Sequence, residues 1–371
     1  MQNVGGRREN VKGFLLPTSN AKAQTLYNLL PSLFLCLFLF PLSSVFAQEA
    51  QPLTLFDALA TSNNRSSVVT AQLALNDATV ALSRTQADPL ALRLEQTQAN
   101  QKVALTQAQL DEAKYKAVQD ITTGYTQYLE AQAALELSTF ARDLSQQNLQ
   151  ITQIRRDKGS ATELEVQEAQ NTLEDAENNL LSSQQGANLA KTNLEGLIGM
   201  TVTTLAPIPD ETLAPLPGLE TVLQNLDKTP SLLQVSQGTE LAQLGVDLLD
   251  PSYASTSQID TAKLQLDTAQ TSSAEARRGL ELQARTLFNT ANSASETLAI
   301  RQDALANAQE REAVEKQRLD AGLIADVQFK QSQLATKQAA LAALQAKHAY
   351  LNALLALQAG TMTQVEGLYG F

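Results

Sequence analysis

The sequence predicts an all-α protein of long antiparallel coiled-coil helices, arranged as two tandem repeats with little or no β-strand. Three observations carry this. Ala, Leu and Gln fill the middle of the chain, aromatics make up 5% and Trp is absent, a composition of long helices in thin layers and not of a thick core. Within residues 155–199, Val166, Ala169, Leu173, Ala176, Leu180, Ala187, Ala190, Leu194 and Leu197 recur at alternating steps of three and four, with one skipped place at Ser183. That is the seam of a helix packed lengthwise on another. A second copy of the stretch occupies residues 318–360, and matching landmarks in the two halves keep their order at offsets of about 161 to 164 residues, the mark of a duplication.

Residues 1–47 read as a signal peptide. Arg7, Arg8, Lys12 and Lys22 make a positive start, residues 29–40 are apolar apart from Pro31 and Ser32, and SSVFA ends at Ala47. The competing reading is a membrane anchor, but the apolar run is short for a spanning helix of about 20 residues. Cys36, the single cysteine, lies in this run, so a processed chain would hold no thiol, disulfide or cysteine-based metal site.

Residues 48–199 form the first helical repeat. Val68, Ala71, Leu75, Ala78 and Leu82 line a helix that should end before Asp88-Pro89, because proline disfavours helix at the residue before it. A longer helix is expected from near Gln101 to about Arg156. Its seam runs through Val118, Ile121, Tyr125, Tyr128 and Leu135, then changes phase to Leu137, Phe140, Leu144, Ile151 and Ile154. Such a rod would be on the order of 80 Å long. Gly159 marks a turn, and the helix after it should stop at Gly199 in a left-handed conformation.

A Pro- and Thr-rich connector follows at residues 200–218. The second repeat, residues 219–360, retraces the first: 227–244 echoes 62–75, Asp250-Pro251 echoes Asp88-Pro89, and Gly322 answers Gly159. Its long helix is seamed by Ile259, Ala262, Leu266, Ala269, Ala276, Leu280 and Leu287 and runs to about Leu319. The final helix is expected to end at Gly360, before a tail at 361–371. That helix carries a second seam, of alanine, at 335, 339, 342, 346, 349, 353 and 356. Helix propensity alone can explain alanine, but the regular spacing favours packing on two neighbours at once.

Several function classes fall away. A net charge of -12 and a pI near 4.7 do not suit nucleic-acid phosphates, which need clustered Lys and Arg. Aromatic stacking platforms for bases are missing. The sequence shows no phosphate-cradling glycine loop, HExxH or nucleophile elbow, so no enzymatic activity and no cofactor are expected. His348, the one histidine, falls on the seam Leu341, Leu344, His348, Leu351, Leu355. It reads as a partly solvated seam residue, the alternative being a pH-sensitive interior group; alone it makes no transition-metal site.

Each half is thus a helix, a proline-marked interruption, a long helix, a glycine turn, and a heptad helix ending in Leu-x-Gly. This resembles the TolC family of outer-membrane efflux ducts. The carrying motifs are DKGSATELEVQEAQNTLEDAENNL with NLEGLIG in the first half and DAGLIADVQFKQSQL with LLALQAG in the second. The resemblance implies a homotrimer whose helices form a hollow α-barrel, working with a periplasmic adaptor and an inner-membrane transporter. It implies that the adaptor docks at the turns of Gly159 and Gly322, with Lys158 and Leu323 beside them. It also places Glu165, Asp326 and Glu168 at the pore mouth or gate.

Two departures stand out. Gly322 is followed by four residues before Val327, whereas six separate Gly159 from Val166; the second tip is tighter, or the two tips are aligned differently. The family also inserts a long β-hairpin at each interruption to build a membrane barrel. A hairpin of membrane strands needs more than about 20 residues. Here about a dozen follow Pro89 and about eight follow Pro251, with Leu90, Leu92 and Leu94 alternating like a short strand. An incomplete barrel would leave backbone groups unpaired in lipid, so association with the outer membrane is expected without a spanning barrel. Two functions remain open: a TolC-like efflux duct, and a coiled-coil spacer or tether of the cell envelope. For Glu163, Glu165 and Glu168 there are likewise two readings, favourable charge at a helix N-terminus capped by Thr162 and an acidic ring that prefers cations.

Overall fold

The two halves repeat each other residue for residue along their long helices. The computed structural model describes residues 52–365; the expected signal peptide and the end of the C-terminal tail lie outside them. In order, the α-helices are α1 (Leu55–Leu59), α2 (Ser66–Ala87), α3 (Arg93–Asp157), α4 (Glu163–Ile198), α5 (Leu219–Gln224), α6 (Pro230–Asp247), α7 (Thr256–Asp320) and α8 (Asp326–Thr361). Helices α3 and α7 each have 65 residues, and α4 and α8 each have 36. Arg93 is matched by Thr256 and Glu163 by Asp326, so the second half follows the first at a constant spacing of 163. At 1.5 Å per residue α3 and α7 are on the order of 100 Å long.

The long helices begin earlier than their seams. Helix α3 starts eight residues before Gln101, where RLEQTQAN holds good helix formers but no apolar period. Only residues 88–92 separate α2 from α3, and residues 248–255 separate α6 from α7. The expected alternation of Leu90, Leu92 and Leu94 is not a strand: Leu94 is already helical, and Glu95 accepts a hydrogen bond from the Leu92 amide at 3.0 Å. Among the described residues the sole β-pairing is one bridge between Leu53 and Leu205, and no helix is long and apolar enough to cross a membrane.

The four long helices lie side by side in the order α4, α3, α8, α7. Helix α8 is antiparallel to α3: Asn352 meets Thr123 and Thr126, His348 meets Glu130, and Lys330 meets Gln147. It also packs along α7, where Thr336 donates to the Ala308 carbonyl at 3.2 Å. The two-sided packing expected of α8 is present.

The core is thickest halfway along the rods. There Ile121 and Tyr125 of α3, Leu194 of α4, Ala291 of α7 and Leu351 and Leu354 of α8 are fully buried, sealed by α1 and the connector. The Tyr125 hydroxyl donates to the Leu53 carbonyl at 2.8 Å and the Ala206 carbonyl at 2.6 Å. Tyr350 donates to the Ala214 carbonyl at 2.9 Å. The connector is a belt pinned to the bundle. Towards the glycine turns the core thins to Leu149, Val166 and Leu173.

The last helix passes through Gly360 and continues to Thr361. The counterpart of Gly199 (φ +72°) is Met362 (φ +54°), the one non-glycine residue with positive φ among those described. Its side chain is buried, and that burial offsets a left-handed cost of roughly 1–2 kcal/mol.

Candidate functional site

Both glycine turns are built alike. The Gly159 amide donates to the Arg156 carbonyl and the Ser160 amide to the Arg155 carbonyl, each at 2.8 Å; Gly322 to Leu319 and Leu323 to Arg318 repeat the pair at 2.8 Å. This pair of hydrogen bonds needs a left-handed residue, and Gly159 (φ +73°) and Gly322 (φ +71°) supply it. The next helix starts four residues after each glycine, at Glu163 and Asp326. The second tip is therefore not tighter. Val166 corresponds to Phe329, both buried, and not to Val327. Asp326 is the counterpart of Glu163, while Glu165 corresponds to Gln328.

That register separates the acids by task. Thr162 Oγ1 accepts from the Glu165 amide at 3.2 Å, and the Glu165 carboxylate accepts from the Thr162 amide at 2.6 Å and hydroxyl at 3.0 Å. Glu165 thus closes a capping box. These bonds to Thr162, with Arg155 nearby, hold its carboxyl below the usual range. In the second repeat the Gln328 side chain takes the same place, accepting from the Ala325 amide at 3.1 Å.

Glu163 accepts from Arg156 at 3.3 Å. Asp326 ties the repeats together, accepting from Gln147 of α3 at 2.9 Å and from Lys330 at 3.1 Å, and Lys330 also donates to Gln147 Oε1 at 2.8 Å. The Gln147 and Lys330 bonds lower the Asp326 pKa. Glu168 is exposed, and its carboxylate has no hydrogen bond or ion pair among the described residues. Lys158 and Leu323 stand in solvent on the two turns, Leu323 at 74% exposure. The pairs Thr162–Glu165 and Asp326–Lys330 are legible as spacings of three and four, and Arg156–Glu163 spans the turn at seven; the Gln147 tie is not legible, because it joins residues 179 apart.

His348 is not a partly solvated residue. It is 1% exposed, with Nδ1 2.8 Å from the Glu130 carboxylate and Nε2 buried without a partner. Its seam faces α3 instead of solvent, because α8 lies between two long helices.

The fold has known counterparts. Residues 89–200 match the family described as outer membrane efflux protein. The fold is similar to that of CusC, 13% identical, with 83% of this chain and 95% of that one covered at a TM-score of 0.62. It is also similar to the CmeC outer membrane channel of Campylobacter jejuni (12% identity, 85% and 87% covered, TM-score 0.59). The outer membrane protein VceC of Vibrio cholerae is a third (15% identity, 83% and 96% covered, TM-score 0.58). No curated protein sequence matches the chain. The fold is that of TolC-like helical channels, as the resemblance of the two-repeat sequence implied.

Proposed function

We propose that three copies of this chain close into a hollow duct of the cell envelope. It passes exported small molecules or proteins without chemistry, together with a periplasmic adaptor at the glycine turns and an inner-membrane transporter. The observation that supports this is an interface left half-used. Helices α3 and α8 meet within the chain, but their repeat counterparts α7 and α4 form the two edges of the four-helix layer. On α4, Leu181 and Leu189 are 53% and 64% exposed; on α7, Leu282 and Ile300 are 69% and 65% exposed. Joining α7 of one copy to α4 of the next would repeat the α3–α8 contact and close the layer. Twelve helices at a spacing of about 10 Å make a ring too wide to fill, with a lumen on the order of 30 Å.

At the mouth, this reading gives Glu168 and Asp326 the charge seen by cargo, and Glu165 chiefly the shape of the tip. Lys158 and Leu323 present a cation and an apolar side chain to the adaptor. Image averages of the purified particle test the proposal: a threefold ring with a stain-filled centre is expected. The short turns at 88–92 and 248–255 favour a second reading, an envelope spacer, which requires a solid rod in the same images.

A further inference from the structure

We propose that the end of the molecule opposite the glycine turns seats on a phospholipid surface, through Leu90 and Leu92 of one turn and Leu248 and Tyr253 of the other. These side chains are 84%, 65%, 54% and 90% exposed. Large apolar groups held in water are the mark of a contact surface. Both turns lie at one end, because α6 runs antiparallel to α3 and its middle packs beside the first turns of α3. Gln101 donates to Glu240 at 2.7 Å, and Gln237 donates to the Gln101 carbonyl at 3.0 Å.

The turns are fixed in shape. Asp88 Oδ1 accepts from the Leu90 amide at 2.9 Å, and Asp250 Oδ1 accepts from the Ser252 amide at 2.8 Å. The same Asp-Pro device in both repeats holds the apolar side chains outward instead of letting them fold back.

On the first turn charge favours lipid phosphate, whereas the second carries the exposed acids Asp247 and Asp250 and can contribute only apolar contact. Arg84 and Arg93 flank Leu90 and Leu92, both exposed and without a hydrogen bond or ion pair among the described residues. The acids beside them, Asp88 and Glu95, are turned onto the Leu90 and Leu92 amides. Two free guanidinium groups around two leucines suit lipid phosphate above acyl chains. Tyrosine, with an apolar ring and a polar tip, suits the same depth. Side chains on two separate turns fit a fluid plane better than a shaped protein surface. No helix among the described residues is long and apolar enough to cross the bilayer. A ring of copies would set every such turn in one plane and multiply a weak affinity. The inference rests on the envelope location proposed above, not on conduction.

The test is flotation of the protein, purified from envelopes of cells expressing the full chain, with vesicles of phosphatidylethanolamine and phosphatidylglycerol. The parent protein should float. Combined Leu90→Ser, Leu92→Ser, Leu248→Ser and Tyr253→Ser should lower the bound fraction at least about tenfold, with particle mass and helicity unchanged. Leu164→Ser, 67% exposed beside the Gly159 turn at the far end, should float as the parent does. If the combined variant does not fold, Leu90→Ser and Tyr253→Ser singly give the same reading on fully solvated side chains. A parent that stays in solution, or variants that float equally, overturn the proposal. So does a doubling of particle mass without vesicles that the substitutions abolish, which would make this end a contact between two particles. A solid particle that floats removes the duct and leaves this surface; a hollow one that does not float does the reverse.

Discussion

A methyl group placed on Gly360 of α8 would stand 2.6 Å from Cδ1 of Leu287 on α7. The first repeat makes the same crossing with the roles exchanged: a methyl on Gly124 of α3 would stand 2.5 Å from Cδ1 of Leu197 on α4. At the spacing of 163, Gly124 corresponds to Leu287 and Leu197 to Gly360. One large and one absent side chain fill the crossing in each repeat, and only the helix that carries the leucine differs.

Gly360→Ala should therefore destabilise the protein by about 1–3 kcal/mol through overpacking. Leu287→Ala alone should also cost stability, through a cavity. Their combination should cost less than the sum, because the alanine methyl enters the space the leucine leaves. Thermal unfolding followed by circular dichroism measures all three, and strictly additive losses would show that the two side chains do not share the space.

Gly360 also marks the limit of what the sequence revealed. The duplication, the two glycine turns, the Thr162 cap and the order of the helices were legible because each leaves a local trace: a glycine, a capping residue, or an apolar period. Gly360 resembles a helix stop because LLALQAG looks like NLEGLIG, although the spacing of Gly159 and Gly322 points to Met362. The start of α3 is hidden because its first two turns are largely solvated and carry no seam. The Gln147–Asp326–Lys330 tie and the His348–Glu130 pair join residues too far apart in sequence to leave any local trace.

His348 is expected to be a packing residue with one costly atom. Its Nε2 is buried without a partner, and Glu130 is 28% exposed, enough for water to reach its carboxylate. His348→Ala should cost roughly 2–4 kcal/mol through the cavity. His348→Leu should stay within about 1 kcal/mol of the parent, since it fills the space and removes the unpaired nitrogen. Urea unfolding of both variants checks this. Equal losses would mean that the Glu130 hydrogen bond, not volume, holds the α3–α8 contact.

Acid should loosen the glycine tips before it unfolds the bundle. The folded pKa values of Glu165 and Asp326 are lowered by their hydrogen bonds. Each contribution is then fully present above the ordinary carboxylate pKa and lost as pH falls through the depressed folded value. Glu165→Gln should keep the cap, as Gln328 does in the second repeat, and make tip stability less steeply dependent on pH. Amide exchange at residues 160–166 between pH 3 and 6 reports this. Unchanged pH dependence in Glu165→Gln would assign the effect to other groups.

The proposed ring predicts which side chains meet between copies. In the α3–α8 contact, Leu137 and Leu344 line one groove, and Lys337 lies 5.6 Å from the centre of the Phe140 ring. At the spacing of 163 these positions become Ile300 and Leu181, and Asp303 and Glu174. Leu181 should therefore pack on Ile300 of the neighbouring copy, and Leu181→Asp should lose about 1.5–3 kcal/mol per interface and yield monomers at micromolar concentration. Glu174 and Asp303 would bring two carboxylates together where the inner contact has a cation over a ring. That repulsion weakens the joint by roughly 0.2–1 kcal/mol and is screened by salt. Glu174→Lys should then tighten the assembly a few-fold at low salt and have little effect at high salt. Sedimentation velocity across a concentration series measures both variants. A Leu181→Asp protein that keeps the parent mass would place the joint on another face of the helix layer.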